Sequence, residues 1–130
     1  MILDLQHIDP QRIAAIDSSG AELRYVEISQ LSKHITSLIP TRSLCFLLVE
    51  NNVGGIAWVM SMLDSRQLVP LILNVKTEDT LYQQLLHTYQ PTYICAPNHF
   101  IVQGEIVDCQ YEYTLTKISD TTPTLHSELS

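Results

Sequence analysis

The apolar residues of this chain fall into blocks whose spacing alternates between that of a strand and that of a helix. Residues 44–49 form an uninterrupted apolar run, which indicates a strand buried on both faces, and the mostly apolar residues 53–63 indicate a buried helix. The succession continues with a strand at 68–73, a helix around 81–89 and a strand at 92–96. Strands that alternate with helices of this length are typical of a parallel sheet joined by crossover helices.

The part before the first long strand predicts a hairpin and a helix. Residues 13–17 and 23–25 indicate two short strands, and the turn between them contains Gly20, which tolerates a positive φ. Apolar residues then recur at helical spacing up to Pro40, which cannot continue a helix. They are Ile28, Leu31, Ile35 and Leu38.

Polar residues and prolines predict where the later elements begin and end. Asn51 or Asn52 is expected to cap the helix at 53–63, and Thr77 the helix that carries Leu81, Tyr82, Leu85, Leu86 and Tyr89 on its buried face. Pro70 indicates an edge position or a strand end rather than a central strand, because proline cannot donate to a ladder hydrogen bond. Residues 64–67 are expected to form a solvated loop.

The C-terminal part predicts a β extension and a linker. Residues 100–102 and 106–109 indicate a hairpin, and residues 111–118 a further strand. We therefore expect an α/β fold of the three-layer Rossmann-like type: a mainly parallel sheet with helices on both faces, an N-terminal hairpin and a C-terminal β extension. Residues 1–118 form its single domain, and residues 119–130 are expected to be a flexible linker.

Charge and composition narrow the classes of partner. The chain has 7 basic and 14 acidic side chains and a net charge of −7, which disfavours nucleic acid and anionic membrane surfaces. The N-terminus lacks the pattern of a targeting segment, and no apolar stretch is long enough to span a bilayer, so a cytoplasmic protein is expected. Of the three cysteines, Cys45 and Cys95 are expected to be buried thiols and Cys109 lies in a later strand.

One loop is a candidate for anion binding. Asn52, Val53, Gly54 and Gly55 lie between a strand and a helix, where exposed amides can hold an anion. Their spacing fits no phosphate-binding motif. The favoured interpretation is that the two glycines let the helix approach the sheet.

The titratable residues form no recognisable catalytic or metal-binding set. Glu50 follows the most buried strand and Asp64 ends a predicted helix, but no partner identifies either as an acid or a base, and Glu50 is favoured as a helix-entry residue. The five histidines have no metal-ligand spacing and are expected mostly at the surface. They are His7, His34, His87, His99 and His126. We therefore predict no catalytic, cofactor-binding or metal-binding residue.

Four segments together resemble a known family. Residues 14–28 resemble its opening hairpin and helix start, and residues 43–52 its strand with an Asn exit. Residues 60–71 resemble its helix end and Pro-Leu strand, and residues 80–96 its next helix and strand. In this order the segments are similar to the amino-terminal subdomain of the AMP-binding, adenylate-forming superfamily, which includes acyl-CoA and aryl-CoA synthetases and adenylation domains.

The resemblance implies a ligase in which this chain is an N-terminal fragment. Such a ligase activates a carboxylic acid with ATP and Mg²⁺ and transfers the acyl group to coenzyme A or a carrier thiol. The family's phosphate loop, adenine site and catalytic lysine lie further along than Ser130, so none is assigned here and the isolated chain is expected to be inactive. Its implied partner is the remainder of the ligase, and a homodimer is possible.

Two alternatives stay open. One is a free-standing flavodoxin-like binding or regulatory module, although a receiver domain needs clustered acids and only Glu50 is present after the first long strand. The other is a degenerate homologue that serves as a protein-interaction subunit.

Overall fold

A computed structural model describes residue 9 and residues 11–118. The elements are β1 (Ile13–Ile16), β2 (Glu22–Arg24), α1 (Tyr25–Leu38), β3 (Ser43–Val49), α2 (Val53–Ser65), β4 (Leu68–Asn74), α3 (Asp79–Tyr89), β5 (Tyr93–Pro97), β6 (Glu105–Gln110) and β7 (Tyr113–Lys117). Strands β1 and β2 form the predicted N-terminal hairpin, and the other strands form one sheet in the order β4-β3-β5-β7-β6. Over these described residues the fold is therefore α/β, with a mixed five-stranded sheet and three helices.

The parallel part of the sheet is built around β3, which pairs in parallel with β4 on one side and β5 on the other. Its side chains alternate between two core clusters because successive residues of a strand point to opposite faces. Cys45 and Leu47 pack in the cluster that also contains residues of α1 and α2. Phe46 and Leu48 pack in the cluster that contains residues of α3. This two-sided burial explains why residues 44–49 are apolar without interruption.

The prediction of a mainly parallel sheet is wrong for its C-terminal half. Strand β7 pairs antiparallel with β5, and β6 pairs antiparallel with β7. The hairpin predicted from residues 100–102 and 106–109 is also wrong, because residues 100–102 form no strand. The actual turn of the β6–β7 hairpin contains Tyr111 and Glu112, which adopt φ values of 57° and 65°. Turns of this kind usually carry glycine or asparagine at these two positions, so the residue types did not indicate this turn.

Two of the helices differ in detail from the prediction. Helix α2 continues through Asp64 and Ser65, which were expected in a loop. The Thr77 cap of α3 is wrong, since Thr77 Oγ1 donates to the carbonyl of Asn74 and the N-cap residue is Glu78. The buried face of α3 is also narrower than predicted, because Leu81 is 47% and Tyr89 48% exposed.

Other predictions at this level are confirmed. Asn52 caps α2, since its side chain accepts the Gly55 amide. Pro70 lies in β4, an edge strand. Cys45 and Cys95 are buried. The predicted linker at 119–130 lies outside the described residues.

Candidate functional site

The carboxyl ends of β3 and β5 bring Glu50 and His99 together. The connection through α2 leads from β3 to β4 on one side, and the connection through α3 leads back to β5 on the other side. In open α/β sheets, ligands bind at the point where connections leave in opposite directions. Glu50 Oε1 lies 3.1 Å from His99 Nε2 at this point, and the two side chains are 36% and 64% exposed.

Glu50 and His99 form a pair of two side chains. In the described part of the chain, no serine, threonine or cysteine side chain is hydrogen-bonded to His99. Ion pairs of this exposure contribute about 0–1 kcal/mol to stability. Because the Glu50 carboxylate faces His99 and Asn52 caps α2, the predicted helix-entry role of Glu50 is wrong for its side chain.

The backbone beneath Glu50 is fixed by a chain of hydrogen bonds. The Glu50 amide donates to the Tyr113 hydroxyl over 2.9 Å, and that hydroxyl donates to Asn52 Oδ1 over 2.9 Å. Burial, more than any other cause, raises the pKa of Tyr113, so the hydroxyl keeps the proton that it donates. These hydrogen bonds link the residue after β3 and the N-cap of α2 to β7.

Two amides in the first turn of α2 donate to the protein's own acceptors. The Val53 amide donates to Asp17 Oδ2 over 3.1 Å, and the Gly55 amide donates to Asn52 Oδ1 over 3.0 Å. A Cβ added at Gly54 would lie 2.6 Å from the Tyr111 carbonyl oxygen and 2.7 Å from the Tyr113 ring. A Cβ added at Gly55 would lie 2.9 Å from the Glu50 carbonyl oxygen, so the packing interpretation of the two glycines is confirmed.

Asp17 holds the β1–β2 turn as well as α2. Its Oδ1 atom accepts the Ser19 hydroxyl, the Ser19 amide and the Ala21 amide at 2.6–3.2 Å. These bonds, the Ser19 hydroxyl foremost, lower the pKa of Asp17 below its ordinary value. The carboxylate thus links the β1–β2 turn to the start of α2 in its ionised form.

Replacing Asp17 with asparagine is expected to destabilise the protein at neutral pH and to reduce its sensitivity to acid. A carboxyl whose pKa is lowered by folding stabilises the native state above its unfolded pKa, and this contribution is lost as the pH falls through the folded pKa. The difference in unfolding free energy between the native chain and Asp17→Asn should therefore shrink between about pH 7 and about pH 3. Urea unfolding followed by circular dichroism measures it. Glu22→Gln, in the same hairpin, is the matched control, and an equal pH dependence in that variant would contradict the assignment.

A second group of polar residues, which the sequence pattern did not predict, joins α1 to the β6–β7 hairpin. His34 Nε2 lies 3.1 Å from Asp108 Oδ2, and the Tyr111 hydroxyl donates to Glu27 Oε2 over 3.4 Å. Burial first, and then Glu27, raise the pKa of Tyr111 to about 12. A cavity of about 270 Å³ lies beside them. Glu27 also accepts the Arg24 amide at the start of α1, so the group acts as a structural link.

The remaining candidate residues, Asp64 and the histidines, link elements of the fold or lie at the surface. Asp64 Oδ2 accepts the Ser32 hydroxyl over 2.7 Å and joins α2 to α1. His87 and His99 are exposed as predicted, His34 is half-buried, and His7 and His126 lie outside the described residues. Among residues 9 and 11–118, no group of three or more His, Cys, Asp or Glu side chains could hold a metal ion. No helix in this part of the chain has the length and apolar character needed to cross a bilayer.

Comparisons with protein-family models, with curated proteins and with solved structures found no match for this chain.

Proposed function

We propose that this chain is the N-terminal subdomain of an ATP-dependent ligase that activates acyl or aryl carboxylic acids, and that it supplies scaffold rather than catalytic groups. The four segments of the resemblance lie on consecutive elements: the hairpin with the start of α1, the end of β3, the α2–β4 unit and the α3–β5 unit. Core clusters on the two faces of β3 support the three-layer, Rossmann-like form of this proposal.

One observation carries the scaffold role: the polar groups at the carboxyl edge of the sheet are engaged with each other. Asp17 and Asn52 take amides of α2, and Tyr113 joins the Glu50 amide to Asn52. A nucleotide site needs free amides or cations directed at the phosphates. Under this proposal ATP and Mg²⁺ bind to a part of the ligase beyond this chain, as does the acceptor thiol. The proposed location is the cytoplasm.

The test compares the chain with the product of its full coding sequence. The coding sequence is expected to continue past Ser130 into a Ser/Thr- and Gly-rich loop. The longer product should exchange pyrophosphate into ATP with at least one member of a carboxylic-acid panel, whereas the 130-residue chain should not. Exchange by the 130-residue chain would contradict the scaffold role, and a longer product without exchange would contradict the ligase.

Glu50 and His99 favour a second candidate, a free-standing flavodoxin-like binding module. Their position at the switch point of the sheet is where such a module binds its ligand. Titration of the labelled chain with Mg²⁺ or a phosphoryl mimic, followed by NMR, separates the two candidates. Saturable shifts around Glu50 and His99 would favour the binding module, and the scaffold proposal expects none.

A further inference from the structure

Two adjacent residues of the β6–β7 turn adopt a backbone conformation that neither residue type favours. Tyr111 and Glu112 have φ values of 57° and 65°, and among residues 9 and 11–118 they are the only neighbouring non-glycine pair with positive φ. Two-residue hairpin turns of this kind usually carry asparagine and glycine, because a left-handed residue with a larger side chain raises the free energy of the closed turn. The closed turn therefore depends on contacts that other elements make with it.

Three hydrogen bonds from other elements hold the turn closed. They run from the Tyr111 hydroxyl to Glu27 Oε2 over 3.4 Å, from the Trp58 indole to the Gln110 carbonyl over 3.1 Å, and from the Asn98 amide to the Glu112 carbonyl over 2.9 Å. The bond between Tyr111 and Glu27 is the longest of the three, and it alone uses a side chain of the turn. Backbone strain in the turn opposes all three contacts, so the free-energy difference between the closed turn and an open one is reduced.

Strand β6 can move without disturbing the rest of the sheet. In the described sheet it is an edge strand that pairs only with β7, and four of its six residues are exposed. Its register shifts between Ile106 and Asp108, and such a bulge is a place where a strand bends. Strand β7 is firmly held, since Tyr113 is 1% and Leu115 0% exposed. Opening is therefore expected to move residues 108–112, which we call the hairpin strap, and to leave β7 in place.

The hairpin strap also borders two cavities. One of about 270 Å³ lies between α1 and the hairpin, and one of about 470 Å³ lies between the β1–β2 turn, the start of α2 and the hairpin. Tyr111 is the one residue that lines both. Movement of the strap therefore changes the walls of both cavities at once. We propose that the hairpin strap opens and closes while the rest of the fold stays intact, and that the hydrogen bond between Tyr111 and Glu27 holds it closed.

Hydrogen exchange of the intact chain, followed by NMR, measures the opening. Opening breaks the hydrogen bonds of the Trp58 indole and the Asn98 amide, so these two N–H groups are the reporters. Tyr111→Phe removes the hydroxyl but keeps the strained backbone, and should speed the exchange of both reporters about threefold to tenfold. Glu112→Gly relieves the strain at one position but keeps the Tyr111 hydroxyl, and should slow their exchange about fivefold.

A left-handed residue outside the hairpin provides the matched control. Arg66 has a φ of 64° at the C-cap of α2, and Arg66→Gly should leave the exchange of both reporters unchanged. The Phe46 amide in the central strand β3 reports unfolding of the whole chain. Reporters that exchange only as slowly as the Phe46 amide would overturn the proposal, because the strap would then open only when the fold is lost. Failure of either turn variant to change the exchange in the expected direction would also overturn it. This inference is independent of the ligase proposal.

Discussion

Trp58→Ala is expected to lower the free energy of unfolding by about 3–5 kcal/mol. Trp58 is fully buried in α2, and its indole nitrogen donates to the Gln110 carbonyl over 3.1 Å, so it joins the helix to the end of β6. Its removal leaves a large cavity and an unpaired carbonyl. Since Trp58 is the single tryptophan, unfolding should be followed by far-ultraviolet circular dichroism in urea rather than by fluorescence.

A second variant separates the two contributions of Trp58. Trp58→Phe keeps most of the apolar contact but removes the donor, and is expected to cost about 1–3 kcal/mol. If Trp58→Ala costs less than about 1 kcal/mol, the range of ordinary surface substitutions, then α2 does not pack as described.

The central strands could be predicted because their own residue types indicate how they are buried. The apolar run of β3 has no polar face, and this required helices on both sides of the sheet. Pro70 placed β4 at an edge, and Asn52 marked the start of α2. In each case a residue type has few structural environments that tolerate it, so local sequence was sufficient.

The C-terminal hairpin could not be located from the sequence, because its glycine lies outside the turn and the turn itself carries residues that are unusual there. Gly104 lies between the two predicted strands, but in the structure it allows close packing rather than a turn: a Cβ there would lie 2.5 Å from the Lys117 carbonyl oxygen. The real turn contains Tyr111 and Glu112 in left-handed conformations. Three contacts hold it: the Trp58 indole on Gln110, the Asn98 amide on Glu112 and the Tyr111 hydroxyl on Glu27. Tertiary contacts therefore override local preference at this point.

The candidate site shows the same limit. Glu50 could be noticed as the carboxylate after the most buried strand, but His99 became its neighbour only through the pairing of β3 with β5. The pair of His34 and Asp108 likewise depends on how α1 lies against β6. Contacts between distant parts of a chain follow from strand order, which residue spacing alone does not determine.

Phe46→Ala is expected to cost about 3–5 kcal/mol through the opposite face of the sheet. Phe46 is fully buried and packs with Tyr82 of α3, at 6.5 Å between ring centroids. Helix α3 has no fully buried residue of its own, so it depends on this strand residue for its attachment. Urea unfolding measures the loss, and hydrogen exchange should show α3 amides losing protection first. Tyr89→Ala, which removes a half-exposed aromatic ring from α3, is the matched control and should change stability by about 0.5 kcal/mol or less.

The two faces of the sheet should also contribute independently. Trp58 and Phe46 belong to separate core clusters, and residues without shared partners have additive effects to within about 0.5 kcal/mol. The milder variants Trp58→Phe and Phe46→Leu keep the double variant folded and allow a double-mutant cycle. A coupling energy above about 1 kcal/mol would mean that the two clusters form one continuous core. Additivity would show that β3 separates two packing layers, so that α3 can loosen while α1 and α2 stay in place.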